Sequence, residues 1–157
     1  MAYWLMKSEP EVFGIEHLQQ RGRWLWDGVR NYQARNFLRQ MQVGDLALFY
    51  HSNCKIPAVV GLMRIVRAGY ADPTQFEPDN KYYDPKSTLD APRWTAVDVE
   101  FVQKWPEPIS LQQLKALPEL ADLALVKKGN RLSLMPMTEA EWQAVLSLHP
   151  DTHAAAR

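Results

Sequence analysis

Apolar positions run in short blocks or recur at helical spacing, and the places where that rhythm changes predict the elements of the chain. Residues 3–7 read as a strand that ends at Ser8-Glu9-Pro10, where proline removes a ladder donor and opens a turn. Over 12–20, Val12, Phe13, Ile15 and Leu18 approximate helical spacing, and Arg21-Gly22 supplies the stop. The segment 24–36, WLWDGVRNYQARN, reads as an aromatic-rich turn leading into a second helix. Asn31 caps that helix, Tyr32, Phe37, Leu38 and Met41 point inward, and Gly44 ends it. Residues 45–51 form an apolar run too short for a helix and read as a buried strand closing in His51-Ser52-Asn53; 57–67 read as another.

Between 70 and 92 the composition turns to Asp, Pro, Asn, Tyr and Lys, predicting a long irregular connection of the kind that is functional or mobile in a small domain. Residues 94–105 alternate loosely through Val97, Val99, Phe101 and Trp105, predicting a half-exposed strand. Ser110-Leu-Gln-Gln113 is a capping-box pattern before Leu114 and Leu117, with Pro118 ending the helix. Residues 131–135 read as a short strand entered through Gly129-Asn130, and Thr138-Glu-Ala-Glu141 opens a last amphipathic helix carrying Trp142, Val145, Leu146 and Leu148. A frayed tail is expected after Pro150. Strands mixed with separate short helices, without a βαβ rhythm or an internal repeat, indicate an α+β domain with a curved or barrel-like sheet.

The 157 residues suffice for one substantial core, and 46% hydrophobic with 23% charged residues is ordinary for a globular domain. No long apolar run and no basic leader is present, and Cys54 is the one cysteine, so an intramolecular disulfide and a cysteine-built metal site are excluded. The expectation is an intracellular protein, cytoplasmic in a bacterium or nuclear in a eukaryote, without a membrane partner. Eighteen basic and eighteen acidic residues cancel, which argues against coating nucleic acid through bulk charge. The distribution is uneven: Arg21, Arg23, Arg30, Arg35 and Arg39 face only Asp27 within 21–41, predicting a basic face.

Candidate chemistry concentrates in the segment 24–36, which holds two Trp, a Tyr, three amide side chains and two Arg. Flat aromatic faces beside planar donors suit a nucleobase: Trp26 or Tyr32 for stacking, Arg30 and Asn31 for a base edge. Asn31 is thus a cap, a base reader, or both. Catalytic patterns are weak by comparison. His17, His51, His149 and His153 lack zinc spacing, Pro150 separates the last two, and Cys54 near His51 lacks the local signature of a cysteine hydrolase. No glycine-rich phosphate loop is present.

Five motifs in order, WLMKSEP at 4–10, WDGVRNYQARN at 26–36, FYHSN at 49–53, YDPKS at 83–87 and GNRLS at 129–133, resemble those of the EVE domain family. That family belongs to the PUA-like fold group, near YTH domains, and the resemblance runs from Tyr3 to about Leu148. It implies a PUA-like curved β-sheet or pseudo-barrel with flanking short helices over 2–149, followed by a tail at 150–157. It further implies a non-enzymatic pocket for a modified nucleobase, with modified cytosines in DNA the leading ligands and no cofactor or metal. Carried over by motif, Lys7 and Ser8 sit at the end of the first strand, Trp26 forms a wall, and Arg30, Asn31 and Tyr32 line the mouth. Tyr50, His51, Ser52 and Asn53 come from a second strand, and Arg131, Leu132 and Ser133 close the pocket. One departure is Lys128, where many members carry glutamine before the Gly-Asn-Arg motif. A reader of modified RNA with the same pocket is the alternative, and an enzyme using His51 is the alternative of another class. Oligomeric state is left open by the sequence.

Overall fold

The computed structural model describes residues 1–148. Six strands form one mixed sheet: β1 (Tyr3–Ser8), β2 (Arg23–Trp26), β3 (Leu46–His51), β4 (Ala58–Ala71), β5 (Thr95–Ser110) and β6 (Leu134–Met137). Their spatial order is β2-β5-β4-β3-β1-β6, with β1 and β3 parallel and every other neighbouring pair antiparallel. Register shifts bend the long β4–β5 ribbon at several points, as expected where bulges raise local twist. Gly61 sits at the first of these; a Cβ there would run into the Gln103 carbonyl of the facing strand.

Successive strand residues face opposite sides, so a sheet covered on both faces divides its apolar residues between two cores. Trp4, Met6, Phe49, Ile65 and Val97 pack on one face against the helices α2 (Ile15–Arg21) and α3 (Tyr32–Gln40). Leu5, Leu48, Tyr50, Leu62 and Trp105 pack on the other, against α4 (Leu111–Lys115) and α5 (Glu139–Leu146). The caps expected at Asn31, Ser110 and Thr138 are formed: each side chain accepts a hydrogen bond from the backbone N–H three residues on.

Several expectations are corrected. The helix expected over 12–20 is two pieces, α1 (Pro10–Phe13) and α2, because Gly14 takes an extended conformation between them. Val12 consequently points to solvent. Arg23–Trp26 is not a turn but an edge strand paired with β5, and the chain turns only after it, at Gly28 (φ 77°). Tyr32 does not point inward; it lies 53% exposed, stacked on Trp94 at 4.9 Å. The last strand begins at Leu134 rather than Arg131.

The 72–94 connection is irregular but pinned by buried polar side chains. Gln75 donates to the carbonyls of Asp72 (2.7 Å) and Trp94 (2.9 Å) and accepts from the backbone N–H groups of Arg93 and Trp94. The tail after Pro150, with His149 and His153, lies outside the described residues. No helix among the described residues is long and apolar enough to cross a membrane.

Candidate nucleobase-binding cleft

The carboxyl ends of the parallel pair β1 and β3 open side by side, and backbone hydrogen bonds fasten two further segments to them. Ser52 N–H donates to the Ser8 carbonyl at 3.0 Å, and Lys7 N–H donates to the Ser133 carbonyl at 2.8 Å. The 129–133 segment and the end of β3 are thereby drawn to the end of β1. Across from them, β2 brings Trp24 and Trp26, and the Gly28 turn reverses the chain toward α3. The result is a cleft of about 720 Å³, within the range of roughly 300–1,000 Å³ usual for small-ligand sites.

Of the residues expected to form a site, Lys7, Ser8, Trp26, Arg30, Asn31, Ser52, Arg131, Leu132 and Ser133 line this cleft. Trp26 is only 6% exposed, because its ring meets Phe49 edge-on at 5.4 Å and Phe13 at 6.2 Å. It forms a wall more than an open stacking face. Asn31 spends its carbonyl oxygen on the Ala34 N–H at 2.9 Å, leaving its amide NH₂ as the free end.

Arg30 lines the cleft but has no donor to spare. Nε donates to the Tyr82 carbonyl (3.1 Å), one terminal nitrogen to the Val29 carbonyl and to Asp72 (both 3.0 Å), and the other to Thr74 Oγ1 (3.0 Å) and Tyr82 (2.8 Å). All five N–H groups of a guanidinium are engaged, so Arg30 shapes the mouth of the cleft by holding the 72–82 segment in place.

The structure does not bring Tyr32, Tyr50, His51 or Asn53 to the lining. Tyr50 faces the opposite core, 2% exposed, and burial pushes its hydroxyl up to about 12. His51 turns to α2, where Nε2 accepts the Ile15 N–H at 3.1 Å; that bond places the ring proton on Nδ1. Burial holds the His51 imidazole below its ordinary value. Asn53 adopts φ 51° and donates its amide to the Glu9 carboxylate at 3.1 Å, bracing the rim from outside.

Other lining residues were not singled out from the sequence: Phe13, Arg21, Asp27, Lys81 and Tyr82. Arg21 stacks on Trp24 at 4.1 Å, Trp24 is 42% exposed, and Lys81 lies 4.9 Å from the Tyr82 ring. The Tyr82 ring packs directly on Gly28, a contact that no other residue at 28 would permit. Lys7, Arg21, Lys81 and Arg131 have no ion-pair partner among the described residues. Burial lowers the Lys7 ammonium below its ordinary value. The expected basic face is dispersed instead: Arg23 pairs with Glu100, Arg30 with Asp72, and Arg35 and Arg39 turn to the Arg93 carbonyl. No group of three or more His, Cys, Asp and Glu among the described residues could hold a metal ion. The cleft therefore offers aromatic walls, an amide and hydroxyls for polar edges, and unneutralised cations at the rim, a combination suited to a nucleotide.

Known proteins share this architecture. Thymocyte nuclear protein 1 of Homo sapiens is 47% identical over 166 residues, covering 94% of this chain and 73% of the human protein. A crystal structure of a Pseudomonas syringae protein matches with a TM-score of 0.92 at 50% identity, covering 94% of this chain and 99% of that one. The crystal structure of human THYN1 protein in complex with 5-methylcytosine containing DNA matches with a TM-score of 0.90 at 47% identity, covering 94% of this chain and 97% of that one. Residues 2–148 match the EVE domain, and the chain belongs to that family.

Proposed function

We propose that this chain is a non-enzymatic binding module that takes a modified cytosine of DNA, 5-methyl or 5-hydroxymethyl, into the cleft beside Trp26. The observation that carries the reading is the match, at 47% identity and a TM-score of 0.90, to a protein crystallised with 5-methylcytosine containing DNA. The lining supports it. Phe13, Trp24, Trp26 and Tyr82 provide ring surface, Asn31, Ser52 and Ser133 provide polar contacts, and Lys7, Lys81 and Arg131 provide cations for a backbone phosphate. A cleft cannot read a base that remains stacked, so the reading requires an extruded or single-stranded base. The hydrogen bond from Ile15 to His51 favours a structural role for that histidine over a catalytic one. A DNA ligand fits the expectation of an intracellular protein, in the cytoplasm of a bacterium or the nucleus of a eukaryote.

With no net formal charge on the chain, discrimination comes from the cleft more than from phosphate attraction. The test is fluorescence anisotropy on matched oligonucleotides, plain or carrying 5-methyl- or 5-hydroxymethylcytosine, at one salt concentration. Tighter binding to a modified strand is expected. Equal binding to all would overturn the reading, and preference for a modified RNA would reassign the polymer.

A further inference from the structure

Methylcytosine recognition poses a chemical problem that the cleft must solve. Thymine carries the same 5-methyl group on a ring of the same size, so stacking and apolar contacts cannot separate the two bases. They differ at position 4, amino in cytosine and oxo in thymine, and at N3, an acceptor in cytosine and a donor in thymine. A pocket distinguishes them by placing a committed hydrogen-bond acceptor against the amino group, a committed donor against N3, or both; the amino group is the one a side-chain acceptor can read.

Few lining side chains offer a strong acceptor. Lys7, Arg21, Lys81 and Arg131 have no acceptor, and the hydroxyls of Ser52 and Ser133 can donate or accept and so suit either base. The Ser8 hydroxyl gives its proton to the Phe13 carbonyl and keeps only neutral lone pairs, the Asn31 oxygen already accepts the Ala34 N–H, and Glu9 is exposed and held by Asn53. Asp27 remains. It is partly buried in the cleft next to Trp26, and no other described residue donates a hydrogen bond to its carboxylate.

We propose that Asp27 accepts a hydrogen bond from the exocyclic amino group of the bound cytosine and thereby distinguishes 5-methylcytosine from thymine. This rests on the reading of the cleft as a methylcytosine site. The backbone around Asp27 is fixed on both sides: Trp26 pairs with Val97 in the sheet, and Gly28 N–H donates to Asp72 at 2.8 Å beneath the Tyr82 ring. A backbone fixed this way limits the ordering that binding costs. Burial, reinforced by the neighbouring Asp72 charge, pushes the Asp27 carboxyl above its ordinary value. An amino donor offsets that desolvation, whereas the oxo group of thymine would add repulsion.

The experiment uses oligonucleotides carrying 5-methylcytosine, cytosine, thymine or 5-methylpyrimidin-2-one at one position opposite an abasic site, which equalises the cost of extrusion. Wild-type protein should bind 5-methylcytosine over thymine by about tenfold or more, and removal of the amino group, in the pyrimidinone, should cost a similar factor. Asp27→Asn can turn its NH₂ toward the thymine oxygen, so its ratio of 5-methylcytosine to thymine affinity should fall toward one while its preference for 5-methylcytosine over cytosine persists. A variant that keeps both preferences overturns the assignment of Asp27, as does wild-type protein that binds the pyrimidinone as well as 5-methylcytosine, a result independent of how the variant folds. Wild-type protein without preference for 5-methylcytosine over cytosine overturns the methylcytosine reading itself, and the Asp27 proposal with it.

Discussion

The Arg30 guanidinium stands 3.0 Å from the fully buried carboxylate of Asp72, and this pair joins the segment after β2 to the loop after β4. Asp72 also receives Gly28 N–H and the backbone and hydroxyl of Thr74. The mouth of the cleft is therefore set by a closed polar network, in which every member depends on the others.

Removing the cation should be costly. Arg30→Met leaves Asp72 buried beside an unpaired Tyr82 carbonyl, and a loss of about 3 kcal/mol is expected from breaking a buried pair. Arg30→Lys should not restore it, since an ammonium cannot reproduce five planar contacts. Urea denaturation of the three proteins checks both statements; a midpoint for Arg30→Met equal to wild type would contradict them.

Gly28→Ala tests the wall of the cleft. Position 28 has φ 77°, and an added Cβ would lie 2.6 Å from the Tyr82 ring. The ring must move, so a stability loss of about 1–3 kcal/mol should accompany weaker binding of modified DNA. Thermal melting and anisotropy measured together detect the pair of effects.

Lys7 should show the opposite pattern. Its ammonium is partly buried without an ion-pair partner among the described residues, and desolvation lowers its pKa. Lys7→Met should leave the melting temperature of the free protein unchanged or raised. It should weaken DNA binding and reduce the slope of log K against log salt by about one phosphate. A salt titration of both proteins decides it.

Acid should weaken the protein through His51. Burial holds the folded-state pKa below the ordinary 6.5, with His17 acting in the same direction and Glu16 against it. The unfolded chain then binds more protons in the window below about 6.5, so the contribution is complete above that pH and declines as pH falls toward the folded value. His51→Asn loses the bond to Ile15 and should be less stable at pH 7.5, yet its stability should vary less between pH 7 and 5, as urea midpoints across that range would show.

What the sequence made legible was local. Asn31, Ser110 and Thr138 sit at helix starts where capping chemistry places them, and the blocks at 45–51 and 57–67 are strands. Motif order identified the family, and nine of the marked residues converge on one cleft. Contiguous motifs mislead, however, wherever a strand alternates. Tyr50 follows Phe49 in the same motif yet faces the other core, because neighbours on a strand point to opposite sides. The commitment of Arg30 to Asp72, and the arrival of Tyr82 over Gly28, depend on contacts spanning more than forty residues, which no local pattern records. Asp27 lies in the segment that the sequence predicts as an aromatic-rich turn, and its place in the cleft follows only from the pairing of β2 with β5.

The most direct measurement is where the methyl group goes. DNA carrying 5-methylcytosine with a ¹³C-labelled methyl, bound to the full chain, should show nuclear Overhauser contacts from that methyl to cleft side chains such as Leu132, Trp26 or Tyr82. Contacts confined to the neighbouring bases of an intact stack would show that the base never enters the cleft, and would contradict the function proposed.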